Sequence, residues 1–276
     1  MGVKQLYSII DQYGVAVDDS FLNGKTIAVD AMSEIYRCVG GFLQYPTAIA
    51  HFNIALCIRK LLKTGARLIY VFDNEIPPAL KQAEIDRRNQ NNSLRINSNT
   101  VKHVIKIVEA MKIPYIIAPQ GFDAEHICAY LTHVGDADIV LSGDSDVFMY
   151  GGRYLLRRRT GNSFTMYDID KFFNEYHLTF DDMRKIGVCL GTDYANGVPR
   201  IGPKTVLNKF RTAQYLDHHL QAIAHFASVP PDTCRACTVL DSPPTSNDIR
   251  TLIESACESY DIIEVEHLIA TVLKSL

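Results

Sequence analysis

Short apolar runs rich in branched residues recur along the first half of the chain, and several end in an acid. Lys25–Asp30 (KTIAVD) and Ala66–Asp73 (ARLIYVFD) end in Asp, and Ile113–Ala118 (IPYIIA) and Asp138–Ser142 (DIVLS) repeat the apolar run. Continuous apolar runs of this length fit strands buried on both faces of a parallel sheet. Between them, Ala48–Lys63, Val101–Met111 and Asp123–Thr132 place apolar residues at three-to-four spacing, which predicts covering helices. The pattern is a layered α/β domain through about residue 190. Beyond it helices dominate, over Lys204–Lys209, Ala213–Ala227 and Ser246–Leu276. The pairs Pro77-Pro78, Pro230-Pro231 and Pro243-Pro244 mark turns, and the polar, Asn-rich stretch Asn89–Thr100 reads as a mobile surface loop.

Composition narrows the class. The chain has 276 residues, 47% hydrophobic and 21% charged, enough to bury a full core. A formal net charge of −3 argues against a globally basic nucleic-acid binder. No window approaches the apolar length of a membrane span, and the N-terminus carries neither a secretion signal nor a myristoylation motif. Seven cysteines without such a signal read as reduced intracellular thiols. Cys38, Cys57, Cys128, Cys189 and Cys257 are expected in the core. Cys234 and Cys237, with His218, His219 and His225 upstream, lack the paired spacing of a zinc site and are expected to be buried thiols.

The placing of the acids changes the picture. Ligands of an open parallel sheet bind outside the carboxyl ends of its strands. Asp30 and Asp73 end two strands, Asp123 and Glu125 follow the third, and Asp144 and Asp146 follow the fourth. Six carboxylates converging on one rim cannot all stay ionised unless cations compensate them. Oxygen-only ligands suit Mg²⁺ or Mn²⁺, and carboxylate-held cation pairs serve phosphodiester hydrolysis. Just downstream, LGTDYANGVPRIGPK supplies a seventh acid, Asp193, and a Gly/Pro turn, Gly197–Lys204, opening towards a helix. Such a turn can hold a phosphate on its N–H groups. The run Arg157-Arg158-Arg159 is a candidate DNA-backbone contact.

The blocks MGVKQL, IAVDAMSEIY, VFDNEIPPALK, APQGFDAEHICAYL, LSGDSDVFMYGG and LGTDYANGVPRIGPKT resemble, in order, the signature blocks of the flap endonucleases. That family of structure-specific 5′ nucleases includes the XPG and exonuclease types, and the resemblance covers about three quarters of the chain. It implies a PIN-like parallel-sheet core, two Mg²⁺ ions for which Mn²⁺ can substitute, and a helix–two-turn–helix element that holds duplex DNA with help from K⁺. It implies a nuclease region over 1–98, its continuation in the same core over 99–190, and a helical region over 191–276.

Position by position, Asp30, Asp73, Asp123, Glu125, Asp144, Asp146 and Asp193 match the metal-binding acids, with Asp123 where the family usually has Glu. Lys81 and Arg88 match the catalytic basic residues at the gateway, and Tyr36 the aromatic on which a nucleobase stacks. Gly2 matches the N-terminal glycine beside the active site. Gly197, Pro199, Ile201, Gly202 and Lys204 match the duplex-holding turns, with Lys209 and Arg211 as neighbouring basics. The implied partners are flapped, nicked or branched double-stranded DNA, in replication, repair or recombination, at an intracellular site: the nucleus or a cytoplasmic replication site.

In place of the family's long helical arch there is only the polar loop Asn89–Thr100. A mainly 5′→3′ exonuclease and a four-way-junction resolvase therefore stay open beside the flap endonuclease. From other classes, a non-catalytic DNA-binding scaffold and a small-substrate phosphatase are the alternatives, disfavoured respectively by the seven acids and by Gly197–Lys204. No motif for a sliding clamp and no basic tail is present, a monomer is favoured, and the compact form resembles virus-encoded members. With the seven acids assigned to a metal site, the remainder of the chain is modestly basic.

Overall fold

The computed structural model describes residues 2–40, 47–90, 96, 98–159, 163–235 and 237, with the side chains of residues 39–40, 47–52 and 88–90 excepted. Two single-turn helices, α1 (Tyr7–Ile10) and α2 (Asp19–Leu22), flank strand β1 (Gly14–Val17). Then come β2 (Thr26–Asp30), α3 (Ala31–Gly40), α4 (Thr47–Lys63) and β3 (Arg67–Phe72). After α5 (Gln82–Gln90) and α6 (Ser98–Ala110) the chain forms β4 (Tyr115–Ile117), α7 (Ala124–His133) and β5 (Ile139–Leu141). Strands β6 (Tyr154–Arg158) and β7 (Phe164–Asp168) precede α8 (Ile169–Tyr176), α9 (Phe180–Leu190), α10 (Val206–Lys209) and α11 (Asp217–Ala227).

All seven strands form one sheet, in the order β1-β7-β6-β5-β2-β3-β4. From β6 to β4 the pairing is parallel. The hairpin partner β7 runs antiparallel to β6, and β1 pairs antiparallel with β7. The expected parallel core is present, extended by an antiparallel margin that the apolar runs did not announce. The order reverses at β2: β3 and β4 lie to one side, β5 and β6 to the other. A crevice outside the strands' carboxyl ends forms at such a reversal.

The central strands are largely apolar because each face meets its own core. Ala28, Val71, Ile116, Val140 and Leu155 point into one cluster, shared with α7, α9 and α11. Their neighbours Val29, Phe72, Tyr115, Leu141 and Leu156 point into the other, under α3, α4 and α6. This is the period-two alternation of a strand read on a sheet with no solvent face. Each fully buried branched side chain of this kind contributes about 1.5–3 kcal/mol.

Two sequence readings are corrected. Asn89 and Gln90 continue helix α5, and Ser98–Thr100 begin α6, so the polar stretch is helical at both margins. Helix α11 begins at Asp217 rather than Ala213, where its first turn is closed by His219 Nδ1 accepting from the backbone N–H of Leu216 at 3.0 Å. The expected helix over Ser246–Leu276 lies outside the described residues.

The turn Gly197–Lys204 is docked on the end of α9. Val198 donates its N–H to the carbonyl of Cys189 at 2.9 Å. A Cβ on Gly197 would stand 2.8 Å from the Leu190 carbonyl oxygen and 2.9 Å from that of Cys189, both backbone atoms. Gly197→Ala should therefore lower stability by roughly 1–3 kcal/mol, read as a lower denaturant midpoint at unchanged slope.

Candidate metal centre

The carboxyl end of the sheet collects the acids. Asp30 closes β2, and Asp73 follows β3 directly. Asp123 occupies the N-cap of α7 but accepts no capping bond, so its carboxylate is turned elsewhere. Glu125 lies in the first turn of the same helix, and Asp144 and Asp146 lie beyond β5. Asp30, Asp123, Glu125, Asp144 and Asp146 are buried.

Part of the negative charge is answered by hydrogen bonds. Ser142 Oγ donates to Asp30 Oδ2 at 2.6 Å, and the Ser33 N–H to Asp30 Oδ1 at 3.0 Å. The Ala124 N–H donates to Asp73 Oδ1 at 2.8 Å, tying the start of α7 to the end of β3. The Asp146 N–H donates to Asp144 Oδ1 at 3.0 Å. Lys81 brings a cation: its Nζ stands 3.1 Å from Asp123 Oδ1 and 5.7 Å from the centre of the Tyr194 ring. Burial opposes the ammonium charge, but Glu125, Asp123, Asp73 and Asp193 override it and hold the Lys81 pKa well above its ordinary value.

The carboxyls move the other way. Burial, helped by Asp73 and Asp144 and opposed by its hydrogen bonds, pushes Asp30 up to about 7. Burial and then neighbouring carboxylates raise Asp73, and they hold Glu125 and Asp146 well above the usual range. Asp144 is raised by burial, with the Asp146 N–H opposing. Glu125 Oε2 and Asp146 Oδ1 are buried without a hydrogen-bond partner. Oxygens of Asp73, Asp123 and Glu125 lie within 4.8 Å of one another, and this acidic cluster can bind a metal ion. Unpartnered buried carboxylate oxygens beside an all-oxygen donor set fit hard divalent cations, which would replace the missing compensation.

Five of the acids line an open cleft. Its lining includes Asp73, Asp123, Glu125, Asp144 and Asp193 together with Tyr36, Pro77, Pro78, Lys81 and Ile85. Tyr36 and Lys81, both assigned from the sequence, line the same cleft as these five acids. Gly2 lies against the cluster with φ +83°, and a Cβ there would fall 1.8 Å from Asp144 Oδ1. Only glycine combines that backbone conformation with that approach. Arg88 lies on α5, but its side chain is outside the described residues.

The remaining candidates lie apart from the acids along the turn and its neighbours. Pro199, Lys204 and Lys209 are exposed, and Ile201 and Gly202 are half-buried. The Gly202 N–H donates to Thr205 Oγ1 at 3.2 Å, and α10 is a single turn. Arg211 Nη2 approaches Asp182 Oδ2 at 3.4 Å and the His177 carbonyl at 3.3 Å.

Of the arginine run, Arg158 pairs with Glu34 with its side chain 8% exposed, Arg157 stacks half-buried over the Tyr7 ring at 4.0 Å, and Arg159 donates to Thr165 Oγ1 while remaining exposed.

Sequence reasoning missed the aromatic block behind the acids. Tyr150 Oη lies 3.3 Å from Asp123 Oδ2, 2.9 Å from Tyr194 Oη and 3.4 Å from His225 Nε2. Its ring stacks on His126 at 4.1 Å. Burial, against a bond from His126 Nε2 to the Ser228 carbonyl, lowers the His126 pKa to about 3 and leaves the ring neutral. These four residues come from four separate segments, and no local pattern links them.

Protons and cations compete for the same oxygens. Because folded Asp30 binds a proton up to about pH 7 and Asp73, Glu125, Asp144 and Asp146 are raised beside it, the thermal stabilisation produced by Mg²⁺ or Mn²⁺ over chelator should widen as pH rises through 6 to 8. Melting curves check this, and a gap that narrows with pH contradicts it. Gly2→Ala should weaken metal affinity about 10-fold or more, measured calorimetrically.

The two halves of this centre coincide with two family models, the XPG N-terminal domain over residues 1–95 and the XPG I-region over 112–193, together more than half of the chain. Flap endonuclease 1 of Methanococcus aeolicus is 26% identical over 266 residues, covering 83% of this chain and 80% of the relative. Human flap endonuclease GEN homolog 1 is 29% identical over 230 residues, covering 75% of this chain but 25% of that protein. The catalytic core of Rad2, solved in complex with a DNA substrate, superposes with a TM-score of 0.81 at 21% identity, over 98% of this chain and all of that one, and shows the same fold. The chain belongs to the flap endonuclease/XPG family.

Proposed function

We propose that this chain is a metal-dependent, structure-specific 5′ nuclease that hydrolyses DNA phosphodiesters at 5′ flaps and branched junctions. The observation that carries the reading is the buried carboxylate set with its two unpartnered oxygens, opening into a cleft that also holds Lys81 and Tyr36. Two Mg²⁺ ions, with Mn²⁺ as substitute, are the cofactors this donor set suits, and when bound they supply charge neutralisation and an activated water. Asp30, Asp73, Asp123, Glu125, Asp144, Asp146 and Asp193 are the residues that would hold them.

The chain's own groups divide the remaining work. Lys81, kept charged by the acids around it, offers its ammonium to the non-bridging oxygens of the scissile phosphate as negative charge grows there. Arg88 is assigned the same task from the following helix. Tyr36 presents a ring for stacking an unpaired base, worth about 1–3 kcal/mol. Tyr150 keeps Asp123 aimed at the cleft. Gly2 closes the wall of the metal site. Gly197, Pro199, Ile201, Gly202, Lys204, Lys209 and Arg211 are assigned to the duplex backbone, which they would follow by shape and charge rather than by base. K⁺ at the 197–204 turn belongs to the same proposal, as does an intracellular site of action, nuclear or cytoplasmic.

Flap, nicked, blunt and four-way-junction substrates, offered with Mg²⁺ or with chelator, test the reading. Cleavage near the single-strand/double-strand junction of flaps, abolished by chelator, is expected. Stepwise loss from blunt or recessed ends alone contradicts the flap assignment, and junction cleavage alone points to a resolvase. Asp146→Asn should lower the cleavage rate at least about 10²–10³-fold while leaving DNA affinity largely unchanged. Lys81→Ala should lower it by a similar factor with metal affinity retained.

A further inference from the structure

Beneath the sheet, on the face covered by α3 and α4, lies a second cluster of reactive groups outside the metal centre. Cys38 on α3 and Cys57 on α4 stand with their sulfurs 3.6 Å apart. Cys38 is buried and Cys57 half-buried, so one of the two meets solvent. Arg37 Nη2 lies 3.1 Å from Cys57 Sγ and 3.3 Å from Cys38 Sγ. The same guanidinium forms a two-point pair with Glu34, through Nε at 3.2 Å and Nη2 at 2.9 Å.

Arg158, reaching in from β6, also places its Nε on both Glu34 oxygens, at 3.0 and 3.3 Å. Its side chain is 8% exposed, and its Nη2 is buried without a partner. Two guanidiniums thus surround one carboxylate, and the local surplus is one positive charge. A thiolate is the anion at hand to balance it. Consistent with that, the bond from Cys38, with burial opposing and Arg37 and Arg158 assisting, brings the Cys57 pKa down to about 5, while the bond to Cys57 and burial push Cys38 up. The pair shares one proton, carried by Cys38.

We propose that Cys57 and Cys38 form a peroxide-reactive dithiol site, with Cys57 as the attacking thiolate and Cys38 as the resolving thiol. The substrate class is a hydroperoxide. The Cys57 sulfur attacks one peroxide oxygen: an S–O bond forms, the O–O bond breaks, and the departing hydroxide or alkoxide takes a proton from solvent. Cys57 is then a sulfenic acid. Cys38 sulfur attacks Cys57 sulfur, an S–S bond forms, the S–O bond breaks, and the Cys38 proton leaves with the hydroxyl as water. Overall two thiols lose two electrons and the hydroperoxide is reduced to water and an alcohol, or to two waters. Closure needs the sulfurs to approach by about 1.5 Å, to the ~2.05 Å of a disulfide. The product would clamp α3, which carries Tyr36, to α4.

The proposal is independent of the nuclease reading, and the remaining thiols supply the control. Cys128 and Cys189 are buried and held above their ordinary pKa chiefly by burial, which makes them poor nucleophiles. The reduced protein is treated with a small excess of hydrogen peroxide near pH 7, quenched by alkylation, digested and read by mass spectrometry. The expected product is a Cys38–Cys57 cross-linked peptide pair, two hydrogens lighter than the thiols, appearing at least about 10-fold faster than oxidation at Cys128 or Cys189. Cys38→Ser should leave a sulfenic acid on Cys57 that dimedone traps. Arg37→Gln should slow iodoacetamide alkylation of Cys57 at pH 7 by about 10-fold, and Arg37→Lys should restore part of it. Oxidation of Cys128 or Cys189 before any Cys38–Cys57 bond appears would overturn the proposal, as would dimedone capture on Cys38 in Cys57→Ser as fast as on Cys57 in Cys38→Ser.

Discussion

Mutual repulsion among buried carboxylates is the constraint on which the rest of this structure depends. Two unit charges 4 Å apart at an effective dielectric of about 20 repel by about 4 kcal/mol, and this sheet end gathers several. The acids are held together by a rigid frame: they stand on strand ends or helix starts whose positions are set by the two apolar cores. The Ser142 hydroxyl, the N–H groups of Ser33, Ala124 and Asp146, and the Lys81 ammonium answer part of the charge. What they leave unanswered appears as raised carboxyl pKa values and as two unpartnered oxygens. That residue of uncompensated charge is the affinity for a divalent cation.

The elements outside the parallel core follow from the same need. The N-terminal segment returns to the cluster at Gly2, where the absence of a Cβ lets backbone meet Asp144. Helix α11, from the far end of the described chain, contributes His225 to the polar, aromatic backing of Asp123. A neutral His126, stacked on Tyr150, supports that backing without adding a second cation beside Lys81. The candidate metal centre thus draws on both family regions, 1–95 and 112–193, and through His225 on the helical region beyond them.

Charge balance of the opposite sign governs the other face. At Glu34 two guanidiniums meet one carboxylate, and the surplus is positive. In both places a low-dielectric site with an unbalanced charge calls for the missing ion. At the sheet edge that ion would come from solution. Between α3 and α4 it is supplied by the chain, as the Cys57 thiolate.

The amino-acid order alone pointed to the strands β2 to β5, the helices α4, α6 and α7 and the convergence of the acids, because each is a local pattern: an apolar run, a three-to-four spacing, an acid at a run's end. It also pointed to Gly197, whose lack of a Cβ the docking on α9 requires. The antiparallel margin of β1 and β7 was not legible, since an edge pairing is decided by what lies opposite. Only the tertiary structure set Arg158 on Glu34 and Arg157 over Tyr7, bound the Gly202 N–H to Thr205, and brought Tyr150 to Asp123. It also set Cys38 beside Cys57, which the sequence assigned to the core. Those are contacts between side chains distant along the chain, and their partners are chosen by packing and charge neutralisation in three dimensions, which no spacing along the sequence encodes.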